Sequence, residues 1–559
     1  MHHHINLHYF TSFCFKNIPC LITTLLIILF IESVTFASNS SDDYPKNLFT
    51  DITQYTFAIS LSDESDSIFC HTTIEGIIKQ KEVNSFIFDL ANVTDAREGK
   101  GMIIDSIQLS SKHKLQSFKH KEDKINIVLE SSLIPGERFT LNIFYKGIPY
   151  DGLIISANKY GDRTFFGDNW PNRAHHWLAC VDHPYDKAKC TFIVKTPNHY
   201  EVIASGSKKE ESFLNPQFKI TKWESETDLA TKVMVIGVAK FAIQYLDPVN
   251  GTPIESWVFP QNKKEGFYDY ALASQVFDFF DRKIGPFSYE KLANVQSKTK
   301  YGGMENAGNI FYYENSVTGE RKIEQLFAHE IAHQWFGDAI TEADWHHLWL
   351  SEGFATYFTN LYIENTHGRD SMNSLLETQK TNILSYYQEI PTSSIIDFNI
   401  TNLNKLLNTN TYQKGAWVLH MLRKQIGTDT FWKAIRAYYK AYQDKNALTQ
   451  DFQFVIEDYS NQDLEWFFEQ WLYRPGVPVL NTQWKYSRKN QVLAFNIEQT
   501  QPEEAFRLPL TLEFIYKDGT KERKVIEITQ RMETFEIPIE NKPVLIVTDP
   551  DLWLLAYFN

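Results

Sequence analysis

"HEIAHQWFGD", residues 329–338, sets two histidines four positions apart with a glutamate beside the first. Apolar residues around it recur every three or four positions, the period of a helix with a buried face. On a helix, positions i and i+4 stack on one side. His329 and His333 therefore aim their rings at one point. Two imidazoles favour zinc over harder cations. A catalytic zinc wants one more protein ligand and leaves a position for water. Glu330 can reach that water as a general base while staying off the metal.

Working outward, "WLSEGFATYF" (349–358) brings Glu352 after eighteen intervening residues, at the start of a new apolar-periodic helix. If that helix folds back, its carboxylate completes a His-His-Glu set. Upstream, "YGGMENAG" (301–308) has paired glycines that allow close backbone approach to a ligand. Glu305 follows at once and can hold a cation such as a peptide's α-ammonium. In "NTYQKGAWVLHML" (410–422), Tyr412 precedes a helix. A phenol there can donate to a developing oxyanion.

The whole chain is 559 residues, which suggests roughly three or four domains. Residues from about 50 to 245 read as short β-branched and aromatic strands between polar turns. Helical periodicity takes over near "DPVNGTP" (247–253) and holds until "RPGVPVL". Alternating strands then return, with "KDG" (517–519) as a hairpin turn. The expected fold class is multidomain α+β, in the order β, helical, β. The expected bounds are 38–246, 247–478 and 479–559. Thr428 and Asn461 read as helix N-caps, Gly368 and Gly427 as helix stops.

A net charge of −14 without a Lys/Arg block argues against a nucleic-acid partner. Between Lys16 and Glu32 no charge interrupts an apolar run, and Thr35 and Ala37 suit cleavage after Ala37. Residues 1–37 are thus expected to be a signal peptide, with an exported (periplasmic or secreted) product and no stable membrane span after cleavage. An uncleaved N-terminal anchor is the alternative. Of five cysteines, Cys180 and Cys190 are the pair most easily bridged; buried free thiols stand equally open.

"GGMEN", "HEIAH", "WLSEGFATYF" and "YQKGA" together, in order and spacing, resemble the aminopeptidase N family of gluzincin zinc peptidases. "HHWLACVDHP" (175–184) resembles that family's N-domain stretch. The resemblance implies a saddle-like N-terminal β domain, a thermolysin-like catalytic domain and a small C-terminal β-sandwich. It implies one zinc per chain on His329, His333 and Glu352. Glu330 would be base and proton shuttle, and Tyr412 the oxyanion donor. Glu305 would anchor the substrate amine, with Gly302, Gly303, Met304 and Asn306 along the substrate. The implied activity is hydrolysis of the N-terminal peptide bond of peptides with a free N-terminus, by a metal-activated water. Endopeptidase or epoxide-hydrolase chemistry, or a non-catalytic peptide-binding scaffold, are the alternatives.

The chain departs from the family in three places. The second amine-binding acid or amide expected before Cys180 is missing; Trp170 falls in register, with Asp168 just before as a substitute. His346 and His347 stand where acids are common, and are expected to be support or surface residues. The sequence stops after the sandwich, without a large C-terminal helical domain, so a more open cleft is expected.

Overall fold

The computed structural model describes residues 42–110 and 112–559. The expected signal segment, with Cys14 and Cys20, lies outside the described residues. From Thr50 to Ala239 the chain is mainly β-structure. Its largest sheet has eight strands, with Thr50–Ser60 and Lys187–Pro197 parallel at the centre and antiparallel partners outside. Thr50–Ser60 shows why it is a strand: Tyr55, Phe57 and Ile59 alternate into the core at 2% exposure or less. A four-stranded and a three-stranded sheet complete this domain. Cys70, Cys180 and Cys190 are buried free thiols.

The run 232–245 is not one strand. Ile236–Ala239 stays in the β domain, whereas Ala242–Tyr245 pairs with Ile254–Val258 in the sheet of the next domain. That five-stranded sheet therefore begins upstream of Asp247. Its middle strands, Ile254–Val258, Leu292–Ser297 and Asn309–Tyr313, are parallel. Gly303–Met304 closes one edge, antiparallel to Asn309–Tyr313.

Nine helices follow Ile254–Val258 among the described residues. They are α1 (Lys263–Tyr270), α2 (Ala273–Lys283), α3 (Glu324–His333), α4 (Trp349–His367), α5 (Arg369–Glu389), α6 (Gly415–Ile426), α7 (Thr428–Tyr442), α8 (Thr449–Ser460) and α9 (Glu465–Phe468). Gly368 and Gly427 do end helices, both at φ +86. Asn461 does not start α9; at φ +51 it closes α8, because a left-handed residue ends the preceding turn. Thr428 is the first residue of α7 and not its cap. No helix among the described residues is long and apolar enough to cross a membrane. The C-terminal domain has a four-stranded and a three-stranded sheet. The "KDG" turn joins Leu508–Ile515 to Lys521–Ile528.

α4 and α6 cross where two glycines meet. A Cβ on Gly353 would lie 3.1 Å from Gly415 Cα, and the reverse approach is also 3.1 Å. The β domain in turn grips the stretch that follows α3. Lys187 Nζ donates to the carbonyls of Asp338 (2.9 Å) and Ala339 (2.8 Å). Lys232 and Glu342, both almost fully buried, pair at 2.5 Å. Removing one member of a buried pair strands the other charge. Lys232→Met is expected to destabilise the protein by about 3–5 kcal/mol, seen as a lower thermal midpoint. Adding Glu342→Leu to that variant should restore most of the loss.

Candidate active site

α3 and α4 pack against each other, and their facing sides carry the three expected ligands. The Nε2 atoms of His329 and His333 are 3.1 Å apart. Glu352 Oε2 lies 3.3 Å from the first and 3.2 Å from the second. Zinc–ligand distances of about 2.0–2.1 Å give a tetrahedral edge of about 3.3–3.4 Å. The three atoms thus sit as three corners of such a tetrahedron. Glu352 Oε2 is buried and makes no well-aligned hydrogen bond. An orphaned carboxylate oxygen beside two ring nitrogens fits a cation, and the donor set fits zinc.

The second ring nitrogen of His333 is engaged behind the site. Its Nδ1 lies 3.1 Å from the Phe336 carbonyl and 3.1 Å from Ser351 Oγ. An N–H donated to that carbonyl leaves Nε2 as the free lone pair. Gly337 makes room for this contact. At φ +122, a Cβ there would meet Ser351 Oγ at 2.3 Å and His333 Nδ1 at 3.0 Å.

Glu330 is 5% exposed and lies against the edge strand Gly303–Met304. A Cβ on Gly303 would sit 2.3 Å from Glu330 Oε1, so the second glycine of the pair is required by this carboxylate. Gly302 has no such neighbour; it is exposed and lies outside the cavity. Burial pushes the Glu330 carboxyl up; His333 opposes this, and Glu305 and Glu352 reinforce it. Burial alone would lower His333, but Glu352, Glu305 and Glu330 outweigh it and hold the ring up at about 10. The acids around His333 thus favour a positive charge at this point.

Met304 and Glu305 line the same cavity as the triad. Ligand atoms of Glu305, Glu330 and His333 all lie within 4.8 Å of one another. Asn306 is fully buried and does not line the cavity; neither of its amide atoms has a partner. Gln334, next to His333, ties this loop to α3. It donates to the Glu305 carbonyl (2.7 Å) and accepts from Gly308 N–H (2.8 Å).

Tyr412 lies on a wide π-turn, Asn410–Lys414, that leads into α6. Its ring stacks on His329, with centroids 5.9 Å apart and planes at 15°. Burial and the nearby Glu352 carboxylate push its phenol well up, so the proton stays on oxygen.

Asp168, the expected substitute anchor, is not free. Asp168 is fully buried and paired with Arg173 at 2.6 Å, and it accepts from Lys300 N–H at 3.0 Å. Trp170 takes the cavity wall instead, with Tyr301 and Leu407. His346 has both ring nitrogens engaged, by Asp344 and the Ile400 carbonyl. His347 bonds Thr449. Neither joins the metal set. Tyr301, directly before the paired glycines, was there to be found in the sequence. Leu407 and the engaged Gln334 carry no such signal.

Two sequence models of one family match this chain. The Peptidase M1 N-terminal domain covers residues 52–232, and the Peptidase family M1 domain covers residues 268–471. The chain belongs to peptidase family M1. Among curated M1 relatives, the glutamyl aminopeptidase of Sus scrofa is 27% identical over 61% of this chain and 38% of its own length. The human glutamyl aminopeptidase is 28% identical over 56% and 34%. Probable aminopeptidase 2 of Sulfurisphaera tokodaii is 26% identical over 69% and 50%. The chain thus spans between a third and a half of these relatives. The crystal structure of Legionella pneumophila aminopeptidase A in complex with aspartic acid shares the fold. Its TM-score is 0.79 at 16% identity, over 92% of this chain and 60% of that one.

Gly337→Ala should strain the loop and push Ser351 and His333 apart. Zinc affinity is expected to fall by about 10–100-fold, as supporting contacts of metal-bound histidines do. Competition against a chromogenic chelator measures it.

Proposed function

We propose that this protein is a zinc aminopeptidase that cleaves the first peptide bond of substrates with a free N-terminus. The observation that carries this reading is Glu305. Its carboxylate lines the triad's cavity, within 4.8 Å of the ligand atoms of Glu330 and His333. An unpaired acid at that distance from the reacting centre recognises a cation. On a peptide backbone, the only cation that close to a scissile bond is the terminal ammonium.

His329, His333 and Glu352 would hold the zinc, which when bound supplies Lewis acidity toward a peptide carbonyl and toward water. The chain's own groups do the rest. Glu330, raised by burial, takes a proton from the attacking water and returns it to the leaving nitrogen. Tyr412, kept protonated, donates its O–H to the developing oxyanion. Glu305 fixes the ammonium, so that the bond presented to Glu330 is always the first. The apolar run after Lys16 supports action in an exported compartment.

Glu330→Gln is expected to keep its zinc and lose about 10²–10⁴-fold in turnover. Tyr412→Phe should lower kcat by about 10²–10³-fold. Glu305→Ala should raise KM for free aminoacyl reporters and narrow the gap to N-acetylated ones. Steady-state kinetics with metal analysis reads all three. Cleavage of acetylated peptides by the unaltered protein at the rate of free ones would refute the aminopeptidase reading.

A further inference from the structure

Tyr412 can serve an oxyanion only if the turn that carries it holds still. A single π-turn such as Asn410–Lys414 is rare and frequently marks a functional site. This one is held at both ends. At its start, Asn410 donates to the Ser393 carbonyl at 3.0 Å. At its end, Lys414 is 1% exposed and does not line the cavity. Its Nζ donates to the Gly476 carbonyl at 3.0 Å. The next residue, Gly415, is the one that meets Gly353 of α4.

A methionine would fill the place of Lys414 without burying a charge, so packing alone does not account for the lysine. Burial pulls its ammonium down to about 8; Glu503 resists this and Arg474 adds to it. Glu503 comes from the loop between Val492–Gln499 and Leu508–Ile515 of the C-terminal domain. Arg531 ties that loop down through the Gln501 carbonyl (2.6 Å). Tyr387 of α5 donates to Glu503 Oε1 at 2.6 Å. Glu503 Oε2 is buried and makes no hydrogen bond. It lies against Gly476, where a Cβ, at φ +91, would sit 3.0 Å away. The C-terminal domain thus reaches the turn of Tyr412 through one carboxylate, one glycine and one ammonium.

We propose that Lys414 is a positioning residue: backed by Gly476 and Glu503, it holds the π-turn so that Tyr412 keeps its place beside His329 and its O–H on the reacting carbonyl. The inference rests on the oxyanion role given to Tyr412 above. It gives the C-terminal domain a part in turnover without any contact with substrate.

The test compares the zinc-loaded full chain with Lys414→Met, Glu503→Gln, Tyr412→Phe and the double variant of Tyr412→Phe with Lys414→Met. Steady-state kinetics on aminoacyl-amide reporters is read with metal analysis. Fluorine NMR of 3-fluorotyrosine placed at position 412 reports the turn without turnover, with and without zinc. Lys414→Met should lower kcat by about 10–100-fold, the loss expected when a reacting group is misplaced. Zinc should be retained and KM should stay within about twofold, since binding is untouched. Beside Tyr412→Phe the same change should cost no more than about twofold further, because residues that act as one unit do not add. Glu503→Gln keeps the Tyr387 bond and breaks none, so it should fold as the parent does. It strips the ammonium of its counter-charge and should lower kcat in the same direction by less. The fluorine line should shift or broaden in both single variants. A folded Lys414→Met with the parent's kcat, a loss that persists in full beside Tyr412→Phe, or a fluorine line unmoved in both variants overturns the proposal. If Lys414→Met does not fold, Glu503→Gln decides by the same two readouts. If no reporter is cleaved, or Tyr412→Phe alone turns over as the parent does, the function proposed above fails instead, and the fluorine line alone decides whether Lys414 holds the turn.

Discussion

Two imidazole nitrogens and a carboxylate oxygen held 3.1–3.3 Å apart inside the protein are the constraint around which the catalytic domain is built. Two more acids, Glu305 and Glu330, lie a few ångströms away. Buried charge at this density is unfavourable without a counter-ion. The backbone must therefore hold the groups in place until a cation neutralises them. Four glycines at three places do this by omission. Gly303 yields space to Glu330, Gly337 to the His333 contact, and Gly353 with Gly415 lets α4 approach α6. That last approach sets how near Glu352 stands to Tyr412, since each lies within three residues of a touching glycine. A side chain at any of these places would displace a catalytic or ligand side chain without touching a metal-binding atom.

Much of this was legible. The helix period around residues 329–338 brings His329 and His333 together, a local consequence of α-geometry, whereas Glu352 joins them only because the chain between, through Ile340–Glu342, folds α4 back onto α3. The strands of the two β domains were legible for the same reason, with side chains alternating every second residue. The five-stranded sheet of the catalytic domain was not. "LANVQS" (292–297) is buried at every position, so it shows no alternation. Gly303–Met304 is only two residues long. α5 also escaped, because only four of its 21 residues are buried and its apolar stripe is faint. Asn461 was assigned to the wrong helix because Asn both opens helices and closes them in the left-handed conformation.

The site residues divide along a similar line. His329, His333 and Glu352 form one metal-binding group as their residue types and spacing suggested, and Glu330 and Glu305 lie beside them. Asn306 lies beside them in sequence, but its amide is buried behind the cavity. Asp168 failed because a carboxylate's availability depends on its partners, and Arg173 is a partner that spacing alone does not reveal. Trp170 was visible only as the absence of an expected polar residue. In the structure it reaches from the β domain to Tyr301 and Trp345 of the catalytic domain.

This sharing between domains extends to charge. Burial pushes Asp338 well up and Glu305 adds to the shift, while Lys232, His333 and Lys187 oppose it. Both lysines belong to the β domain and reach the catalytic domain just behind α3. Burial pulls Lys187 down to about 7, with Asp444 and Asp338 resisting. Burial also acts to lower Lys232, but Glu342 and Glu305 outweigh it and hold its charge. Gln334 joins the two layers, donating to Asp338 Oδ2 at 2.9 Å and to the Glu305 carbonyl. The β domain is therefore more than a cover for the cleft. Lys232, which keeps its charge, offsets the buried acids of the stretch that follows α3.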